Sequence, residues 1–282
     1  MPATSASSAA RDRTGELEFP ICELDRIPAP PPDEFRRTYV RPSRAVVLTG
    51  LTDGWLPLRD WTADRLATRY GQSQVVAAVL AGSTLKDHGT RGVVFRHVAL
   101  GEFVASLDQP GDAAHYVTAP PWDLPPAFQD DYRAPAYCAG SAHLRTKLWL
   151  GKTGTVTPFH RDLPHNFHVH LSGRKRWLLV APRDSSRMYS RGLRSGMPNF
   201  SHVDPEAPDW ARHPRFRDVA VFGATLGPGD TLFIPQGWWH HTRSLDHTVS
   251  MNFWWGGRLV LAAATASGAF KRIRGICQNE WK

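Results

Sequence analysis

The sequence is poor in cysteine, in long apolar runs and in acidic charge. Cys22, Cys138 and Cys277 are the only three cysteines in 282 residues. Their odd number and wide spacing argue against a disulfide framework and a cysteine metal site, so reduced, structural thiols are expected. No apolar stretch approaches the roughly 20 residues that span a bilayer, and "RLVLAAATASGAF" is too short. The opening "MPATSASSAARDRTGELEFP" is small, polar and charged and lacks the apolar core of a signal or transit segment. It predicts a disordered tail over residues 1–20 and a soluble, cytoplasmic protein. Acidic residues number 26 against 34 Lys and Arg, a net charge of +8. The basic residues are scattered, with small clusters at 174–176 and 271–274, so nucleic-acid binding is not expected.

What is present is a chain of 41% hydrophobic and 11% aromatic content, enough for a substantial core. No internal repeat is visible. Residues 21–140 read as a mixed α/β region. "RAVVLTGL", "SQVVAAVLAG" and "GVVFRHVAL" have the character of strands, while "WTADRLATRYG" and "LGEFVASL" have that of helices. From residue 141 to 256 the pattern changes to strands broken by Gly, Pro and Asp: "TKLWLG", "NFHVHLSGRKRWLLVAP", "ATLGPGDTLFIPQG" and "HTVSMNFWW". A β-barrel or sandwich is expected there, with an insertion over 183–219 and a C-terminal helical segment over 257–282.

Four histidines fall within "HRDLPHNFHVH". "HVHLSGRKRW" reads as a hairpin turning at Ser172 and Gly173, which would set His170 opposite Lys175 and His168 opposite Trp177. Alternation then places Asn166, His168, His170, Lys175 and Trp177 on one polar face and Phe167, Val169 and Leu171 on the other. A lysine on a barrel-lining face is costly to bury unless it meets an anion. Upstream, His160 and Asp162 stand two apart, so an extended backbone aims both side chains the same way. One imidazole, one carboxylate and a distant second imidazole form the facial triad of non-haem Fe(II) oxygenases. The pair alone is weak, because His202 and Asp204 repeat it. "GPGDTLFIPQGWWHH" supplies the context, a turn, a strand and a second turn running into His240 and His241.

Through these segments the chain resembles the JmjC and cupin-like 2-oxoglutarate oxygenases, in particular the group containing the hypoxia-inducible-factor asparaginyl hydroxylase. The likeness runs from "RAVVLTG" to "MNFWW" and is dense in "TVTPFHRD…HNF…GRKR", "SHVDPEAPDW…HPRF" and "GPGDTLFIPQGWWHHTRSL…SMNFWW". The resemblance implies a mainly β fold, a double-stranded β-helix or jelly roll of the cupin/JmjC type, flanked by N-terminal α/β elements and a C-terminal helix. It implies His160, Asp162 and His240 as catalytic Fe(II) ligands and Lys175 as the partner of the distal carboxylate of 2-oxoglutarate. It also implies Thr157, Asn166, Asn252 and Tyr116 as cosubstrate contacts. Alternation in "VSMNFWW" independently puts Ser250, Asn252 and Trp254 on one face.

His165, His168 and His170 read as barrel-lining side chains rather than extra ligands, and Trp238, Trp239, Trp254 and Trp255 as core and rim aromatics. The expected activity is O2-dependent hydroxylation of an unactivated C–H in a protein or peptide side chain, with residues 183–219 and "TAPPWDLPP" forming the groove. Alternatives are the same chemistry on a free amino acid or small biosynthetic intermediate, or a non-enzymatic cupin-like binding protein. Residues after 257 are expected to mediate a homodimer.

Overall fold

A computed structural model describes residues 17–80, 93–109, 115–192, 195, 197–260 and 262. Two mixed sheets face one another. The smaller has the order β1-β11-β10-β13-β8, built from Ile21–Glu23, Val221–Leu226, Lys175–Val180, Trp239–Ser244 and Val156–Arg161. The larger runs β2-β3-β12-β9-β14-β7-β6-β4-β5. Its strands are Arg26–Pro28, Val46–Thr49, Thr231–Ile234, His165–Ser172, Thr248–Gly256, His143–Gly151, His115–Ala119, Gln74–Leu80 and Val93–Ala99. The mainly β, jelly-roll expectation holds. Among the described residues no helix is long and apolar enough to cross a membrane.

Alternation in the strands generates three apolar layers. On the outer face of the larger sheet, Phe167, Val169, Leu148, Leu150 and Phe253 pack beneath short helices α1 (Pro32–Phe35), α2 (Ala63–Tyr70) and α3 (Leu100–Ala105). Helix α2 starts where Thr62 accepts a hydrogen bond from the Arg65 N–H, a side-chain N-cap. Between the sheets lie Trp177, Leu179, Leu226, Leu232 and Ile234. On the outer face of the smaller sheet, Phe159, Leu178, Val180 and Trp239 meet Met188, Val203 and Phe216 from the insertion.

Three sequence expectations need correction. Strands β9 and β10 are not a hairpin: β9 pairs with β12 and β14, whereas β10 pairs with β11 and β13. Ser172 and Gly173 carry the chain from one sheet to the other. Gly173 has φ +75°, and a Cβ there would collide with the His247 carbonyl oxygen. His168 and Trp177 therefore meet across the barrel, ring centroids 4.5 Å apart, rather than along a ladder. The shared interior face survives because both strands keep their alternation across the turn.

Residues 17–20 of the tail expected over 1–20 belong to the described structure. Leu17 to Pro20 are placed on the outer layer, where Phe19 packs edge-on against Trp210 at 6.5 Å and Phe216 at 5.4 Å. The insertion does not chiefly line a groove. Its Glu206, Trp210 and Phe216 cover the outer face of the smaller sheet, and Asn199 to Ser201 run beside β8 through Arg161 N–H to Asn199 C=O and Ser201 N–H to Phe159 C=O bonds. Residues 1–16, 261 and 263–282, with Cys277, most of the expected C-terminal helical segment and the dimerisation expected of it, lie outside the described residues. Cys22 and Cys138 are free thiols, and burial pushes the Cys138 thiol up to about 12.

Candidate functional site

His160 on β8 and His240 on β13 are directly paired across the antiparallel ladder, so both side chains leave the same face. Their ring centroids are 4.1 Å apart. Asp162 follows β8 directly, and its Oδ2 lies 3.8 Å from His240 Nε2. One ligand atom from each of His160, Asp162 and His240 falls within 4.8 Å of the others. His160 Nδ1 lies 2.9 Å from the Pro158 carbonyl and His240 Nδ1 lies 3.1 Å from the Trp238 carbonyl. A carbonyl only accepts, so Nδ1 carries the proton in each ring and Nε2 keeps its lone pair. Burial first, and then the neighbouring His160, lower His240 to about 3, which keeps it neutral. Two imidazoles whose Nδ1 atoms face backbone carbonyls, leaving Nε2 for a ligand, and one carboxylate fit a non-haem Fe(II) or a similar divalent metal by donor chemistry alone.

A bulge extends this face along β8. His240 and Thr242 on β13 stand opposite His160 and Thr157, a spacing of two residues against three. Thr157 thereby faces inward with His160 despite the odd interval. Further inside, Lys175 on β10 is 7% exposed. Among the described residues it has no carboxylate partner and no hydrogen bond. Burial lowers its ammonium to about 8. A buried lysine with no counter-charge among the described residues fits an acidic ligand.

Facing these from the larger sheet are Asn166 and His168 on β9 and Asn252 on β14. Asn252 Nδ2 donates to Asn166 Oδ1 at 2.9 Å, and its Oδ1 lies 3.0 Å from His168 Nδ1. His168 Nε2 and His170 Nδ1 are buried without a hydrogen-bond partner. Burial, then the nearby Lys175 charge, hold His168 well below the usual imidazole range and His170 at about 3. The wall around Lys175 is therefore polar but neutral. Tyr116 lies on β6, two strands beyond β14, tilted at 39° against Trp149 with centroids 4.8 Å apart.

The other His-x-Asp pair does not assemble like the first. His202 stacks on His213 at 6.5 Å, while Asp204 joins Glu206 and His241 on the outer face. There Glu206 is held by Arg176 at 2.6 Å and by a close Arg243 pair. Burial opposes its ionisation, but the Arg243 hydrogen bond and the two guanidinium charges keep it below the usual carboxylate range. A cation at this cluster would have to displace two arginines. His241 points away from His240, packs on Phe159 with centroids 5.6 Å apart, and is lowered to about 3 by burial.

Two contacts at the triad are not deducible from spacing. Phe200, from the insertion, stacks on His160 at 5.2 Å. Trp254 Nε1 donates to Asp162 Oδ2 at 2.8 Å. Alternation in "VSMNFWW" had placed Trp254 on the inner face, but nothing local names a partner 92 residues away.

Residues 32–258 match the model of the cupin-like domain. The chain is 30% identical over 238 residues to lysine-specific demethylase 8 of Xenopus tropicalis, covering 82% of this chain and 52% of that protein. It is 26% identical over 241 residues to Jumonji C domain-containing protein 5 of Drosophila melanogaster, covering 83% and 60%. Human HSPB1-associated protein 1 matches at 39% over 110 residues, 38% of this chain and 22% of that protein. The chain thus spans between half and three fifths of the length of the first two relatives. Its sheet order, its inward His/Asp cluster and these matches place it in the cupin-like, JmjC-related domain family.

Proposed function

We propose that the chain is an Fe(II)- and 2-oxoglutarate-dependent oxygenase that oxidises an unactivated C–H on a protein or peptide side chain. The observation that carries this reading is a pair of inward Nε2 lone pairs beside a carboxylate, in one interior with a buried lysine that lacks a counter-charge among the described residues. Bound Fe(II) would supply the activation of O2, coupled to oxidative decarboxylation of 2-oxoglutarate to succinate and CO2.

The chain's own residues do the rest. His160, Asp162 and His240 would hold the metal through three donors, fewer than its full set. Lys175 anchors the distal carboxylate by charge, and Thr157, Asn166 and Asn252 orient the molecule by hydrogen bonds. The neutral His168 and His170 add no charge to compete with that ion pair, and the apolar layer around Trp177 and Leu179 keeps the interior dry.

The larger sheet continues past β14 as β7, β6, β4 and β5, beyond the smaller one. Its inward face there bears the partly buried Lys147, Trp149, Tyr116 and Thr118. A sheet that extends past the site in this way suits a side chain presented by a larger molecule better than an enclosed metabolite. Relatives named lysine-specific demethylases support a protein side chain as substrate. Hydroxylation and demethylation share the C–H step. Oxidation of an N-methyl carbon gives N–CH2OH, which releases formaldehyde and the free amine.

Incubation of the iron-loaded chain with 2-oxoglutarate and a peptide library, read by mass spectrometry, tests this. A gain of one oxygen, or loss of a methyl group with formaldehyde, is expected. Turnover confined to free metabolites would contradict the substrate class.

A further inference from the structure

We infer that Trp254 is a positioning residue for the metal site, its indole N–H fixing the carboxylate of Asp162 from the opposite sheet. The inference rests on the metal reading above and assigns a role that spacing had left to a rim aromatic.

Each donor of the triad has an outer partner. His160 and His240 are oriented by carbonyls two residues back on their own chain segments, Pro158 and Trp238. Those contacts come with the strand itself. Asp162 lies just past the end of β8, beyond its last ladder pair. Its carbonyl accepts from Gly237 N–H at 3.0 Å, which fixes the backbone. Its side chain is one quarter exposed, against 3% for His240, so solvent competes for the carboxylate as it does not for the imidazole.

Trp254 answers that from β14. It pairs with Asn166 on one side and Arg145 on the other, which puts its side chain on the inward face with Asn252. The ring leans on Trp149, centroids 6.0 Å apart at 64°, and its Nε1 reaches Asp162 Oδ2 at 2.8 Å. The bond crosses from the larger sheet to the end of the smaller one. A bulky ring with only two side-chain torsions, packed on a neighbour, is a stiffer donor than a water or a flexible amide. Outer partners of this type set the orientation of a metal ligand, and their loss costs about 10–100-fold in metal affinity.

The test uses Co(II), whose visible spectrum reports ligand arrangement, titrated anaerobically into the full chain. Trp254→Phe keeps the packing on Trp149 and deletes the donor. It is expected to raise the Co(II) dissociation constant about tenfold and to alter the d–d spectrum. Trp255→Phe is the control, since that indole lies on the opposite face, stacked on Phe167 at 5.9 Å. It should leave both readouts unchanged. Trp254→Leu gives the same comparison should the Phe variant fold poorly. Co(II) binding by a Trp254 variant within twofold of the parent, with an unchanged spectrum, would overturn the inference alone. A parent chain that bound no metal would overturn the metal reading and this inference together.

Discussion

At the residue scale, the site depends on a few side chains whose protonation and pairing follow from where they sit. His160→Ala, Asp162→Ala or His240→Ala should each abolish Fe(II) binding and succinate formation, since a three-donor site has no spare ligand, whereas His202→Ala on the outer layer should retain both. Equilibrium dialysis against Fe(II) under anaerobic conditions checks this. Lys175 gives a prediction with two opposite signs. Its ammonium is buried without a counter-charge, so Lys175→Met should stabilise the cosubstrate-free protein, on the order of 2 kcal/mol by urea denaturation at pH 7, while weakening 2-oxoglutarate binding. Burial lowers its folded value to about 8 from the usual 10.5. The unfolded chain therefore binds more protons between those two pH values, and stability without cosubstrate should rise with pH across that window. Cosubstrate capture needs the charged form, so kcat/KM for 2-oxoglutarate should fall as pH rises through about 8. A flat profile from pH 7 to 10 (roughly the span of the shift) would contradict the anchoring role.

At the element scale, alternation proved a reliable guide to faces and a poor guide to partners. Phe167, Val169 and Leu171 read as one apolar face and pack together under the helices; His168 and Lys175 read as interior and are so. Which strand lies beside β9 was not legible, because a Gly turn closes a hairpin and a crossover between sheets equally well. The bulge that turns Thr157 inward was equally hidden, since it is defined only against β13. Gly173 makes the crossover testable. Gly173→Ala would place a Cβ against the His247 carbonyl at φ +75°, so it should destabilise by roughly 1–3 kcal/mol. A hairpin turn would carry the backbone strain of alanine at positive φ but not the clash with His247, so its loss would sit at the low end of that range. Chemical denaturation followed by tryptophan fluorescence distinguishes the two.

At the scale of the whole molecule, long-range contacts tie the site to layers that no local pattern announces. β1 adds to the smaller sheet parallel to β11, and β2 adds to the larger parallel to β3, so the N-terminal region helps to build both walls. The family segments in the sequence pointed to the jelly roll and to the triad, but not to these additions, because their partners lie up to two hundred residues away. The insertion is clamped behind the site by Glu206, which bridges Arg176, beside Lys175, and Arg243, three residues past His240. Glu206→Ala would leave two guanidiniums short of a partner. A loss of about 3–5 kcal/mol is expected, with new protease cleavage within 204–219 as the layer loosens. A variant as stable and as resistant as the parent would show that the insertion is held by its apolar contacts alone.

The most direct test of the central claim, that one interior holds Fe(II) and 2-oxoglutarate together, is visible absorption under anaerobic conditions. A charge-transfer band should appear only when the chain, Fe(II) and 2-oxoglutarate are all present. It should be absent with His160→Ala and should need a higher 2-oxoglutarate concentration with Lys175→Met. A folded parent chain that showed no band at saturating Fe(II) and 2-oxoglutarate would contradict the account.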